Sequence, residues 1–248
     1  MSRLDLFGFG VDSVTTDDAL AWVERMVTTA DRGRIVTLNT TGMMMAEADD
    51  FLRCYVQNAE LVVADGQPLV WTSPLFGPGL PERVAGIDLF DRMAAQAALR
   101  GWSIYLLGAE EQTIAHAARI LQKRHPGLKV AGRHHGFLGD QTEEVVAEIA
   151  ASGASLLFVG MGMPRQEQFL AAYWGQLGVD VAIGVGGTFE VITGNLQRAP
   201  AIIQRMGLEW AFRLCQEPRR LTGRYAATFL WLARRLAPAA ASRLHRRY

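Results

Sequence analysis

One carboxylate in the sequence has surroundings that suit acid–base chemistry. Residues 61–64 read Leu-Val-Val-Ala, and four apolar residues in a row predict a short buried strand. Asp65 follows, Gly66 permits a sharp turn, and Pro68 suits the first turn of a helix. Because ligands of open α/β sheets bind beyond the carboxyl ends of the strands, Asp65 is a candidate catalytic residue. The alternative is that Asp65 only caps the following helix, since Asp is a favoured N-cap residue.

Glycines at two further strand ends are candidate contacts for a phosphate or a sugar. Gly160 and Gly162 lead from an apolar run into a helix that Pro164 opens, and Gln166 follows in its first turn. Helix N-termini attract anions, and glycine lets a phosphate approach the backbone closely. Gly186 lies in a second glycine-rich strand end. The Gly160–Gly162 stretch could also be an ordinary turn, because the third glycine of a dinucleotide-binding fingerprint is missing, and the Gly186 stretch could merely pack tightly.

Thr37 and Asn39 end another predicted strand. Since side chains alternate along a strand, the two lie on the same side, which favours a shared ligand. Both residues could equally cap the next helix.

The sequence gives no sign of a metal or redox site. Cys54 and Cys215 are the only cysteines, they are far apart, and no Cys/His cluster or Asp-x-Asp pair has ligand spacing. We therefore expect no metal and no other cofactor.

The start of the chain lacks a signal-peptide pattern, and no apolar run approaches the ~18 residues needed to span a bilayer. A cytoplasmic protein is expected.

Charge is distributed unevenly along the chain. Residues 1–197 carry 14 Lys and Arg against 23 Asp and Glu, a balance of −9, whereas residues 198–248 carry 11 Arg against two acids, a balance of +9. Aromatic residues interleave these arginines at Trp210, Phe212, Tyr225, Phe229 and Trp231. The combination indicates a surface that touches anionic lipid headgroups, although a solvated basic face is the simpler alternative. Nucleic acid is not expected, because no nucleic-acid-binding module accompanies the patch.

The elements that position these residues alternate between apolar strands and amphipathic helices. Strands are predicted over residues 4–10, 34–39, 61–64, 103–107, 128–131, 155–159 and 179–184. Helices are predicted from residue 16 and over residues 40–49, 51–58, 67–76, 88–99, 111–124, 142–151 and 164–174. This pattern indicates an α/β fold, a mostly parallel sheet with helices on both faces. After residue 200 the pattern is helical only, so we expect a catalytic domain over residues 1–197 and a basic helical appendage over residues 198–248.

Five segments in order resemble the WecG/TagA/CpsF family of bacterial glycosyltransferases. They are Thr37-Leu-Asn39, Ala64-Asp-Gly66, Glu82-Arg-Val-Ala-Gly86, Val159-Gly-Met-Gly-Met-Pro-Arg-Gln-Glu167, and the run from Gly186 to Arg220. Each motif is weak alone, but five in order over most of the chain are specific.

The resemblance implies a Rossmann-like, inverting, metal-independent transferase that takes a sugar from a UDP-sugar. The implied sugars are N-acetylmannosamine, its uronic acid or a hexose. The implied acceptor is a hydroxyl of a sugar on undecaprenyl diphosphate, at the inner face of the bacterial cytoplasmic membrane. The products would serve cell-surface polysaccharide or teichoic acid synthesis. Self-association into a homo-oligomer is left open.

The resemblance also implies roles for individual residues. Asp65 is expected to be the general base that deprotonates the acceptor hydroxyl. The expected sugar and acceptor contacts are Thr37, Asn39 and Gln166, and the expected diphosphate contacts are Arg83, Arg213 and Arg220. The appendage is expected to close over the pocket and dock on the membrane. The main alternative is a Rossmann-type nucleotide-binding oxidoreductase or epimerase, and a third is a non-catalytic membrane-binding scaffold.

Overall fold

The strands of the protein form two separate sheets in a computed structural model that describes residues 2–245. β1 (Arg3–Leu6) and β2 (Phe9–Asp12) pair antiparallel. The remaining strands form a six-stranded parallel sheet in the order β4-β3-β8-β7-β5-β6. They are β3 (Gly33–Leu38), β4 (Leu61–Ala64), β5 (Ser103–Gly108), β6 (Lys129–His134), β7 (Leu156–Gly160) and β8 (Val181–Gly184). The carboxyl ends of all six strands therefore lie at one edge of the sheet.

Within residues 2–245, nine helices surround this sheet. They are α1 (Thr16–Thr29), α2 (Thr40–Ala48), α3 (Asp50–Gln57), α4 (Gln67–Thr72), α5 (Gly86–Arg100), α6 (Glu111–Arg124), α7 (Thr142–Ala151), α8 (Arg165–Tyr173) and α9 (Thr188–Ile192). Val62 and Ala64 of β4 pack into a core with α2, α3, α7 and α8, whereas Leu61 and Val63 pack into a second core with α1, α5 and α6. Both faces of the sheet are thus covered, which is why β4, β5, β7 and β8 are almost continuously apolar. The predicted Rossmann-like α/β fold is confirmed.

The prediction of one strand over residues 4–10 was wrong. The chain reverses at Phe7 and Gly8, whose φ angles of 58° and 91° lie in the left-handed region, so that β1 and β2 form a hairpin. Asp12 of β2 accepts a hydrogen bond from the Val62 N–H at 2.8 Å. The same carboxylate pairs with Arg3. The hairpin is therefore fixed to the outer edge of β4 and is not part of the parallel sheet.

Two helix boundaries near the candidate site also differ from the prediction. The helix expected over residues 67–76 ends at Thr72 and continues as a short 3-10 turn, Ser73–Leu75. Pro74 explains the change, because it lacks the N–H that an α-helical hydrogen bond needs. The helix expected over residues 88–99 begins two residues earlier, at Gly86. This extension brings the start of α5 next to the end of β4.

The C-terminal segment is helical, as predicted, and packs on the body. It contains α10 (Ala201–Arg205), α11 (Glu209–Gln216) and α12 (Pro218–His245). On α12, the Trp231 ring lies 5.5 Å from the Phe7 ring, between centroids. The Glu47 carboxylate on α2 accepts hydrogen bonds from the Trp231 indole and from Arg235. None of the helices that the structure describes combines the length and apolar composition that crossing a bilayer requires.

Candidate active site

A cleft of about 870 Å³ runs along the carboxyl edge of the parallel sheet. Its floor consists of the residues that follow β3, β4, β5, β7 and β8, and residues of α11 and α12 line the opposite wall. Every residue predicted as a site residue lines this cleft: Thr37, Asn39, Asp65, Arg83, Gly160, Gly162, Gln166, Gly186, Arg213 and Arg220. The fold thus gathers residues that are far apart in sequence.

Asp65 lies at the end of β4, and it does not cap the helix that follows. Its N–H donates to the Leu38 carbonyl at 2.8 Å, so the backbone is held in register with β3. The N-cap residue of α4 is Gly66, and no side chain accepts a hydrogen bond there. The carboxylate therefore does not cap α4, which was the alternative explanation of this residue.

The surroundings of Asp65 favour a carboxyl that can exchange a proton near neutral pH. Burial raises the pKa of Asp65 to about 6. Arg83, the backbone N–H of Gly86 and Arg213 each lower that pKa, and Glu209 raises it. A raised pKa makes the carboxylate a stronger base than an exposed Asp.

Thr37 shares the space around Asp65. A side chain at Gly86 would come within 3.3 Å of Asp65 Oδ2 and 3.4 Å of Thr37 Oγ1, so both oxygens converge on the start of α5. The Thr37 hydroxyl donates to the Gly184 carbonyl at a long 3.4 Å. Asn39 takes part in a different contact, because its Oδ1 accepts from the Gly42 N–H at 2.9 Å and caps α2. Asn39 remains exposed on the cleft side.

The glycines of the site are required by close approach or by backbone conformation. A Cβ on Gly160 would lie 2.6 Å from the Phe189 ring and 2.9 Å from the Gly186 carbonyl oxygen. Gly162 and Gly186 have φ angles of +73° and +50°, and open space surrounds both. The cleft floor therefore offers unobstructed backbone at these two positions, where a phosphate or sugar can approach.

Gln166 is buried, and its amide is engaged within the protein. Its Nε2 donates to Glu167 at 2.8 Å, and its Oε1 accepts from the Gly186 N–H at 3.1 Å. These bonds connect the loop after β7 to the loop after β8. Direct contact between Gln166 and a substrate stays a prediction, whereas its role in fixing the two glycine loops is visible.

The three predicted diphosphate contacts differ in their present partners. Arg83 Nη1 donates to Glu209 Oε2 at 2.9 Å. Arg220 pairs with its neighbour Glu217, and Arg213 is exposed and has no ion pair among the described side chains. All three guanidinium groups reach the cleft from different elements, which is an arrangement suited to an anionic ligand.

Among the cleft residues that the sequence did not predict, three stand out by their chemistry. Glu209 and Glu190 line it, and Glu190 Oε2 is buried with no hydrogen-bond partner in the described part of the chain. Phe137, on the loop after β6, lines the cleft with an exposed ring. Glu209 stood in the quoted Gly186–Arg220 segment, but nothing in its spacing showed that it would meet Arg83, 126 positions earlier.

Three aromatic residues of the appendage line the cleft. Trp210, Tyr225 and Phe229 form a cluster that lines the cleft, with the Trp210 and Phe229 centroids 4.8 Å apart. Trp231 packs against the hairpin, as described above. The exposed large apolar side chains of this segment include Ile202 and Met206 of the α10 region and Phe229 and Leu230 of α12.

Groups that could chelate a metal are not assembled in the described part of the chain. No three His, Cys, Asp or Glu residues come together there as potential ligands.

Comparison with known proteins agrees with the motifs on the cleft floor. The model of the glycosyl transferase WecG/TagA/CpsF family matches residues 4–245. Two relatives are each named N-acetylglucosaminyldiphosphoundecaprenol N-acetyl-beta-D-mannosaminyltransferase. The one from Bacillus spizizenii is 35% identical over 75% of this chain and 72% of its own length. The one from Staphylococcus aureus is 31% identical over 89% of this chain and 87% of its own length. The chain belongs to the WecG/TagA/CpsF family of glycosyltransferases.

Proposed function

We propose that this enzyme transfers N-acetylmannosamine from its UDP derivative to a hydroxyl of N-acetylglucosamine carried on undecaprenyl diphosphate. The names of both relatives support this choice of donor sugar and acceptor. The observation that carries the mechanism is Asp65, a carboxyl with a raised pKa at a strand end, with no capping role. The family match and these names favour a transferase over an oxidoreductase, an epimerase or a non-catalytic scaffold.

The proposed reaction is a single displacement with inversion. The acceptor hydroxyl attacks the anomeric carbon of the donor, Asp65 takes the hydroxyl proton, and UDP leaves from the opposite face. A β-linked product, as in the relatives' names, requires inversion if the nucleotide sugar is α-configured. A base within hydrogen-bond reach of the attacking hydroxyl is the group that such a step needs.

The negative charge that develops on the leaving diphosphate needs stabilisation. We assign this role to Arg83, Arg213 and Arg220 together with the backbone at Gly162, which open space surrounds. Arginine binds phosphate oxygens through two parallel hydrogen bonds, and such donors act strongly in a site from which water is excluded. The reaction as proposed uses no metal ion.

We also propose that the enzyme works as a peripheral protein at the cytoplasmic membrane surface. Its acceptor is attached to a polyprenyl chain, so the cleft must approach lipid. The basic balance of +9 in residues 198–248 would favour an anionic surface.

Replacement of the proposed base tests the central assignment. Asp65→Asn should fold and keep binding UDP but lose about 10²–10⁴-fold in turnover, because a positioned base contributes that much. UDP release with a short-chain lipid-diphosphate acceptor measures the rate, and a UDP-induced rise in melting temperature, absent with NAD(H), reports binding. Asp140→Asn, the same change at an exposed turn, is the matched control. Near wild-type turnover in Asp65→Asn would place the base elsewhere.

Chelation tests the second assignment. Turnover should survive EDTA, because the proposed leaving-group stabilisation comes from arginines and the Gly162 backbone. Loss of turnover in EDTA that Mg²⁺ or Mn²⁺ restores would overturn it.

A further inference from the structure

Glu209 brings a carboxylate from the C-terminal helices to the catalytic cleft. It is the first residue of α11, and its ion pair with Arg83 joins the appendage to the body. The two side chains are only 15% and 20% exposed, so water weakens this pair less than it weakens a surface pair. Nothing in the family motifs gives Glu209 a part in the chemistry.

The structure keeps the other end of this pair close to the proposed base. The Val84 N–H donates to the Ala64 carbonyl at 2.9 Å, so the segment that carries Arg83 runs beside the end of β4. Asp65 is the next residue after Ala64. A carboxylate and a guanidinium on adjoining segments would form an ion pair if the guanidinium had no other partner.

The charged groups around Asp65 come from two elements besides its own strand. Arg83 precedes α5, while Glu209 and Arg213 lie on α11. Arg83 and Arg213 lower the pKa of Asp65, and Glu209 raises it. The N–H of Gly86, at the start of α5, lowers it as well. Glu209 is therefore the group on the cleft wall that offsets the cations.

We propose that Glu209 is a positioning residue, which holds the Arg83 guanidinium in an ion pair and so leaves Asp65 free to take the acceptor proton. The inference rests on the proposed function of Asp65 as the base. Because Glu209 belongs to α11, the pair exists only when the appendage is seated on the body. Glu209, on the appendage, thus tunes the basicity of Asp65, at the end of β4.

The test compares Glu209→Gln with the wild type over a range of pH. Without the negative charge, Arg83 turns towards Asp65, which lowers the pKa of the base. The acid limb of kcat/KM should move to lower pH, and the plateau rate should fall by roughly 10-fold, part of what a positioned base supplies. Glu209→Asp keeps the negative charge, so its acid limb of kcat/KM should lie at the wild-type pH. Glu144→Gln, the same change on the exposed face of α7, should alter neither limb nor rate.

A second variant separates action through Arg83 from a general effect on the appendage. In an Arg83→Gln background, adding Glu209→Gln should shift the acid limb of kcat/KM by less than half of the shift that Glu209→Gln causes in the wild-type background. An equal shift in both backgrounds would overturn the inference, as would a raised KM with an unmoved limb, which is the sign of a merely structural contact. Melting temperatures show whether each variant is folded. These outcomes are distinct from failure of the proposed function, which appears as near wild-type turnover in Asp65→Asn.

Discussion

At the scale of single residues, the proposal that Asp65 is the base makes transfer depend on the protonation state of its carboxyl. Burial raises its pKa to about 6, and a protonated carboxyl cannot accept a proton from the acceptor. As pH falls through about 6, kcat/KM should therefore decline, and above that value it should level off. A pH profile of UDP release measures this limb. An acid limb near pH 4, the range of an exposed Asp, would contradict the effect of burial.

Local sequence placed the residues of the cleft floor, whereas the contacts between the floor and the wall were not predictable. Asp65, Thr37 and the glycines follow apolar strands, so local sequence placed them at the edge where strands of a parallel sheet end. The Arg83–Glu209 contact joins residues 126 positions apart, and no local pattern encodes such a pair. The engagement of Gln166 with Gly186 was missed for the same reason, because it depends on how two loops pack.

At the scale of elements, apolar runs located the six strands of the parallel sheet, because five of them lie mostly buried between the two layers of helices. The edge strand β6 alternates between exposed and half-buried residues, and it ends at His134, beyond the predicted end at residue 131. The hairpin was misread because its turn is Phe7-Gly8, and a left-handed Phe is uncommon enough that the run resembles one continuous strand. The helix after Asp65 was predicted at its start, where Pro68 fixes it, but too long at its end. The docking of α12 on the hairpin could not be read from helical periodicity.

The seating of α12 depends on Trp231, which both packs on Phe7 and donates to Glu47. Trp231→Ala should lower the free energy of unfolding by about 2 kcal/mol, less than for a fully buried Trp. It should also lower turnover, because Glu209 and Arg213 are seated with the same appendage. Urea unfolding and UDP release measure the two effects.

Leu230→Ala is the control for that change. This neighbour on α12 is 52% exposed, so its loss should cost no more than about 0.5 kcal/mol. Equal stability of the two variants would show that α12 is held by other contacts.

At the scale of the whole molecule, the charge separation predicts how the enzyme finds its acceptor. Arg205, Arg219 and Arg234 are exposed, lie outside the cleft, and have no ion pair among the described side chains. Changing all three to Gln should weaken binding to anionic vesicles by up to roughly 100-fold, at about 1 kcal/mol per residue. Vesicle sedimentation measures the loss, which should shrink at high salt.

The control removes the same charge from the body. Arg25, Arg119 and Lys123 are also exposed, on α1 and α6, and changing them to Gln should leave sedimentation unchanged. Equal losses in the two triple variants would mean that only net charge matters and that the appendage has no special place on the membrane.

The hairpin attached to β4 has a consequence for solubility. A parallel sheet ends in two rows of unpaired backbone groups, and such rows invite another chain to add a strand and start aggregation. On the β4 side, the Asp12 carboxylate already occupies the Val62 N–H, so that row is partly closed. On the β6 side, Lys129 and Arg133 are exposed on a strand with alternating exposure, and Arg133 pairs with Glu111 of α6. Charged side chains on an edge repel a second copy, so each border of the sheet is protected by a different device.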